Sequence, residues 1–227
     1  MGPDVTGPDL DEIWTAIDDQ RVRTVEMLEE LTDEQWEHPS LCEGWTVRHV
    51  AAHLTLQRQH LSDVVRLLVE HPRLLRSVGL NRMIHDSAVV RAALPTDEIV
   101  VRIRAGVGSR RHNSFVTPRE TLTDSLVHAQ DMAIPLGIDL EMQTVGALIA
   151  LDRTWATRHT WLGTVVRQLP IDGYRLVATD ADWTAGSGPP VIGPVAALLL
   201  LVTGRPVALA RLEGDGAAQL KMQAQPA

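Results

Sequence analysis

The chain has 227 residues, 44% of them hydrophobic, and a formal net charge of -8. That length is enough for a bundle with a smaller unit beside it, and the acidic balance argues against a nucleic-acid partner, which needs a concentrated basic face. Aromatic residues are only 4%, with one Phe, one Tyr and six Trp, so the core must be built from Leu, Val, Ile and Ala, which suits helix packing.

A single cysteine, Cys42, excludes an internal disulfide and a cysteine-based zinc cluster. No apolar run reaches the roughly 18 residues of a membrane span. The opening MGPDVTGPDLDE is acidic and lacks the basic start and apolar stretch of a secretion signal. A cytoplasmic, reduced protein with no membrane partner is expected.

Residues 1–8, with two Gly-Pro pairs, read as a loose leader. From Leu10 the apolar positions Ile13, Trp14, Ile17, Val25, Leu28 and Leu31 recur at helical spacing. Thr32 with Gln35 has the form of a capping box and predicts a short helical turn through Trp36. HPSLCEGW then reads as a loop, and Thr46 as the cap of a second helix whose apolar stripe runs through Val50, Leu54, Leu61, Val64 and Leu68 to a stop at Pro72. Helices over 81–94 and from Thr96 to near Gly106 follow, separated by Pro95. Thr117-Pro118 opens a further helix that stops at Pro135 and Gly137, and another covers 142–160.

Past Gly163 the pattern changes. Tyr174–Thr179 and Val191-Ile192 read as strands around the turn Ala-Gly-Ser-Gly-Pro-Pro, Pro194 opens an apolar helix ended by Gly204, and 209–222 suggests a short helix and an edge strand. The expected organisation is a mainly α protein: a helical bundle over 9–163 and a small α+β unit over 164–227.

Asp124 and His128 are four apart, so on a helix they share a face and can share a ligand. His53 falls on the inward stripe of the second helix with Val50, Leu54 and Gln57. Spacing alone leaves two readings open, an ion pair beside a core histidine or a three-ligand divalent metal site with open positions. Asp131, three residues after His128, is either an acceptor behind that histidine or the partner of an arginine. Arg102, Arg104, Arg110, Arg111 and His112 form a basic cluster, either a solvated helix end or a mouth for a small anion.

LCEGWTVRHVAAHL (41–54) and TPRETLTDSLVHAQDMAIPLG (117–137) resemble the metal-helix segments of mycothiol-dependent maleylpyruvate isomerase-like proteins of actinobacteria. Those proteins sit within the DinB and bacillithiol S-transferase-like group of four-helix bundles. RLVATDADWTAG and GPVAALLLLVTGRP resemble their C-terminal part. The resemblance implies a DinB-like up-down four-helix bundle, with His53, Asp124 and His128 as metal ligands and Arg205 as a catalytic residue meeting an acidic substrate or the thiol. It also implies mycothiol as co-substrate, in S-transfer to, or cis-trans isomerisation of, a small electrophile. The ligand types suit zinc foremost and also nickel, iron or copper.

Two departures stand out. The acidic member of the pair is Asp124 where the pattern has Glu, and His49 stands where Asp is frequent, creating a competing His49–His53 pair. A non-catalytic metal- or ligand-binding protein and a metal-dependent hydrolase are the rival functions. Asn81 and Arg82 are candidate pocket residues, His60 a pocket-wall or surface residue, and Cys42 a small loop residue or a reactive thiol. Nothing in the sequence distinguishes a monomer from a homodimer.

Overall fold

The computed structural model describes residues 9–76, 79–114, 116–160 and 169–224. The expected leader, residues 1–8, lies outside them. The chain divides into two compact units, Met1–Glu141 and Met142–Ala227.

The first unit is built from four helical passes. α1 (Leu10–Glu29) is capped by the Asp9 side chain and buries Ile13, Trp14, Ile17, Val25 and Leu28 along one stripe, as its periodicity requires. The capping box of Thr32 and Gln35 opens the four-residue α2 (Asp33–Trp36), which buries Trp36. α3 (Val47–Leu54) and α4 (Leu61–Glu70) form the second pass, and α5 (Leu80–Arg91) and α6 (Thr96–Arg104) the third, broken at Pro95. The fourth is α7 (Pro118–Ala133). α1 packs on α6 and α7, and α3 packs on α5, α6 and α7. Their shared core is aliphatic apart from Trp36 and Trp45.

The second pass differs from the single helix expected over Val47–Leu68. The Thr55 hydroxyl donates to the Ala52 carbonyl at 2.7 Å, and the next backbone bonds, Leu56 to His53 and Gln57 to Leu54, run three residues back. A fresh helix then starts at His60, whose backbone N–H is held by Asp63 Oδ2 at 2.8 Å. Side-chain competition for the backbone therefore interrupts a hydrophobic period that continues unbroken in the sequence. The consequence for packing is that Leu61, Val65 and Val69 are exposed.

α7 begins where the sequence places it. Thr117 and Glu120 form a capping box, with Pro118 at the first helical position. It ends in a short 3-10 turn, Ile134–Leu136, closed by Gly137 at φ +68°, a left-handed conformation that costs glycine little.

In the second unit, α8 (Thr144–Thr157) packs against α9 (Val195–Val202). Seven of the eight residues of α9 are buried, so this helix needs cover on every side, and α8 supplies one side of it. The unit boundary therefore precedes α8; the one expected near residue 163 lies outside the described residues.

Strands β1 (Arg175–Ala178), β2 (Thr184–Gly186) and β3 (Pro190–Gly193) form a sheet in the order β2-β1-β3. β1 runs antiparallel to β2 and parallel to β3, with Leu176 opposite Val191, both fully buried. The stretch expected as one turn thus contributes a strand before turning. The expected edge strand near the end is only a bridge between Ile192 and Glu213, followed by α10 (Asp215–Ala224). Among the described residues no helix is long and apolar enough to cross a membrane.

Because the capping box fixes the start of α7, Thr117→Ala is expected to cost about 1 kcal/mol. A lowered urea midpoint with an unchanged slope checks this.

Candidate metal centre

α3 and α7 pack together in the first unit, and their facing stripes bring His53, Asp124 and His128 to one point. One ligand atom from each lies within 4.8 Å of the others. Asp124 Oδ1 stands 3.3 Å from His53 Nε2 and 3.2 Å from His128 Nε2. The two rings meet edge to face with centroids 4.9 Å apart. Atoms bound at about 2.0–2.2 Å around a tetrahedral zinc stand roughly 3.3–3.6 Å apart, so this spacing accepts either a shared proton or a small cation. The side chains keep 15%, 29% and 15% of their surface for His53, Asp124 and His128, which leaves one side of the group open to a ligand.

The surroundings orient two of the three residues. Asp131, one turn along α7 and fully buried, holds His128 Nδ1 at 2.8 Å and thereby turns Nε2 toward Asp124. Of the two readings left open for Asp131, an acceptor behind His128 is the arrangement found. Gln57 donates to Asp124 Oδ2 at 2.7 Å, leaving Oδ1 for the imidazoles, and is itself tied to Ser125 at 3.0 Å. His53 lacks such a brace: its Nδ1 is buried without a hydrogen bond. The indole of Trp45 packs beside it instead, at 5.5 Å, and lies 6.4 Å from His128 and 5.9 Å from His85.

The remaining candidates fall elsewhere. His49 is used by its own helix: its Nδ1 accepts from the Thr46 backbone N–H at 3.2 Å and lies 2.8 Å from the Thr46 hydroxyl. It is not among the groupings of ligand atoms. His60 caps α4 and accepts from Arg111 Nε at 2.9 Å. Arg82 is exposed and pairs with Asp86 at 2.9 Å, and Asn81 is exposed. Arg205 lies in the second unit, where it donates to the Thr203 carbonyl at the end of α9 at 2.5 Å. The basic cluster is mostly matched: Arg102 by Glu98, Arg104 by Glu29, Arg110 by Asp18 and Arg111 by Asp63.

Cys42 has a place that sequence spacing does not announce. Its thiol donates to Asp131 Oδ2 at 3.1 Å and lies 3.7 Å from His128 Nδ1. These three form a second grouping of potential ligand atoms, on the far side of the His128 ring. The loop is brought there by the Leu41 backbone N–H, which donates to the Asp131 carbonyl at 3.0 Å. Gln57 was legible as the next inward position after His53, and Trp45 and Ser125 carried no such signal.

Electrostatics follow from this packing. Burial works against the charge of Asp124, but His53 and His128 outweigh it and hold the carboxyl well below its ordinary 3.8. Burial also opposes the charge of His128, and Asp124, Cys42 and Asp131 overcome it, holding the imidazole well above 6.5. A lowered carboxyl contributes stability present above 3.8 and lost as pH falls through the lowered value. A raised imidazole contributes stability complete below 6.5 and lost as pH rises through the raised value. The metal-free chain is therefore expected to be most stable between 3.8 and 6.5 and to lose stability toward mild alkali. Thermal unfolding in chelator from acid to mild alkali measures it; Asp124→Asn should flatten the alkaline decline, and an identical decline in that variant would refute the assignment.

Residues 17–78 match the family model described as the mycothiol maleylpyruvate isomerase N-terminal domain. That span includes Cys42, Trp45, His53 and Gln57 and ends before α7. No curated protein matches the sequence. Among solved structures, the chain is similar to the crystal structure of the mycothiol-dependent maleylpyruvate isomerase, at 14% identity and a TM-score of 0.57, covering 92% of this chain and 94% of that one. A histidine-to-alanine mutant of that isomerase gives 13% identity and 0.56 over the same shares. Residues 17–78 thus match that N-terminal domain, and along 92% of its length the chain shares the DinB-like fold of the isomerase.

Proposed function

We propose that the chain is a metal-dependent enzyme that uses a low-molecular-weight thiol, mycothiol, against a small electrophile, with His53, Asp124 and His128 as the metal ligands. The observation that carries this reading is the convergence of two imidazole nitrogens on one carboxylate oxygen at 3.2–3.3 Å, with a buried carboxyl behind one of them. Two imidazoles and a carboxylate suit zinc foremost, and the three-residue set leaves further positions for ligand. Aspartate reaches one methylene less far than glutamate, and the 3.2–3.3 Å spacing supports a site built with the shorter side chain.

A divalent ion held there would favour the thiolate of a bound thiol and polarise a carbonyl beside it. The chain's own residues set the conditions. Asp131 accepts the Nδ1–H of His128 in a hydrogen bond and so fixes the tautomer in which Nε2 offers its lone pair. Gln57 keeps the Asp124 carboxyl turned to the imidazoles, and Trp45 supplies an apolar wall that restricts water on the His53 side. In isomerisation the thiol sulfur adds to one carbon of a cis double bond and a proton to the other. Rotation about the resulting single bond and loss of both then regenerate the thiol. In S-transfer the adduct is the product. Neither route needs a protein nucleophile. Arg205 enters this reading through the family resemblance, as a cation for an acidic substrate.

Protein purified without added metal is expected to hold about one divalent ion per chain, in line with a three-ligand site. His53→Ala and His128→Ala should lose it, and unchanged metal content in both variants by elemental analysis would sink the assignment. Asp131→Asn is expected to weaken metal affinity by roughly 10–100-fold while the fold persists. With loaded protein, a cis-alkenyl keto acid such as maleylpyruvate should be isomerised only when mycothiol is present and without net loss of thiol, whereas S-transfer to an electrophile should consume it. Thiol-independent hydrolysis would point to a hydrolase, and no turnover at full loading to a binding protein.

A further inference from the structure

A second polar feature of the bundle plays no part in the metal centre. Arg21, on the inward face of α1, keeps only 4% of its surface. Its Nη1 donates to the Gly106 carbonyl at 2.7 Å, but its Nη2 is buried without a hydrogen bond among the described residues. Gly106 makes this possible, since a Cβ there would stand 2.9 Å from the Ile103 carbonyl oxygen and 3.2 Å from Arg21 Nε.

Arg58, in the turn that follows α3, is close enough to oppose the charge of Arg21, and its Nε is also buried without a hydrogen bond. Burial, offset in part by Asp18, pulls the Arg21 guanidinium down to about 10. Asp18 approaches Arg21 at 3.6 Å yet has its Oδ1 without a hydrogen bond, and it also faces Arg110 at 3.6 Å. Arg110 in turn reaches Asp11 at 3.9 Å and lies over the Trp14 ring at 5.6 Å.

Buried guanidinium groups are ordinarily paired through several hydrogen bonds, because leaving donors unmet costs the desolvation already incurred. Here Arg21 and Arg110 share one carboxylate, Asp18, and Arg21 and Arg58 each keep an N–H group unmet among the described residues. An oxyanion meets that deficit in both charge and hydrogen bonding.

We propose that Arg21 and Arg58 form a binding site for the carboxylate of a small acidic ligand, with Arg110 and Trp14 at its rim. The two oxygens of a carboxylate suit two unmet N–H groups carried by separate arginines. The site uses none of the three metal-centre residues. It is linked to them through the chain, because Arg58 directly follows Gln57, whose amide holds Asp124.

The test is calorimetric titration of the full chain with maleate, inorganic phosphate and the uncharged maleamide, once with chelator and once loaded with zinc. Maleate should bind in both states, weaken with added salt, and lose about tenfold or more in affinity in Arg58→Gln, in line with loss of one member of a buried charge pair. Arg58 keeps part of its surface, so that variant is expected to fold, as checked by its thermal transition; it decides the matter should Arg21→Gln fail to fold. Equal binding of maleamide, or unchanged maleate affinity in Arg58→Gln, would overturn the site, and phosphate binding more tightly than maleate would overturn the carboxylate class. Because the chelated arm requires no metal, failure of the metal reading leaves this result standing and is read separately.

Discussion

The imidazole of His128 is held at both nitrogens by carboxyl groups of its own helix, Asp131 at Nδ1 and Asp124 at Nε2. Positions i−4 and i+3 lie on the same face of an α-helix, so α7 alone supplies a carboxyl–imidazole–carboxyl row without help from tertiary contacts. What tertiary structure adds is burial and closure. α1 and α3 cover the row, Asp131 loses all exposure, and His53 arrives from α3 to face Asp124 from the other side. In a buried setting such groups must satisfy one another or a ligand, and Gln57 and Cys42 bond to the two carboxyls of the row.

The row was legible in the sequence because helical spacing is a local property, and α7 is bounded by the unambiguous signals Thr117-Pro118 and Pro135-x-Gly137. His53 was attached to it by family resemblance, since one inward histidine is no different in pattern from a core residue. Cys42 was not legible, because its approach depends on a loop docking through a backbone bond to Asp131. The competition from His49 ends with a local fact that spacing could not supply: a histidine three residues after Thr46 can cap the helix start as Glu or Gln does in a capping box. Arg21 was invisible for a different reason. A single arginine among the inward residues of α1 leaves the apolar stripe intact, and only packing shows that its head stays inside the bundle.

The aliphatic composition foretold the core correctly but not the polar layer within it. Gln20, Arg21 and Thr24 on α1, Gln57 after α3, and Thr121 and Ser125 on α7 are all buried. Local bonds satisfy part of this layer: Thr24 and Ser125 return their hydroxyls to the carbonyls four residues back, and Gln20 reaches Thr24 at 3.3 Å. Arg21 and Arg58 keep donors unmet among the described residues, and a packed interior tolerates such a deficit where a ligand makes it good.

The interruption after Leu54 is what brings the two features together. Had the helix continued with its regular spacing, Gln57 would still face α7, but the following residues would carry the Leu61, Val64 and Leu68 stripe inward. Instead the bonds tighten from four residues back to three at Leu56 and Gln57, and the chain leaves the helix with Leu56 and Gln57 still buried. Two successive side chains then serve different partners, Gln57 the Asp124 carboxyl and Arg58 the surroundings of Arg21. The cost of the break is visible in α4, whose Leu61, Val65 and Val69 lose their cover. An exposed apolar helix in exchange for two adjacent inward polar groups is unfavourable for stability alone, and it makes physical sense where that turn serves the chemistry of the site.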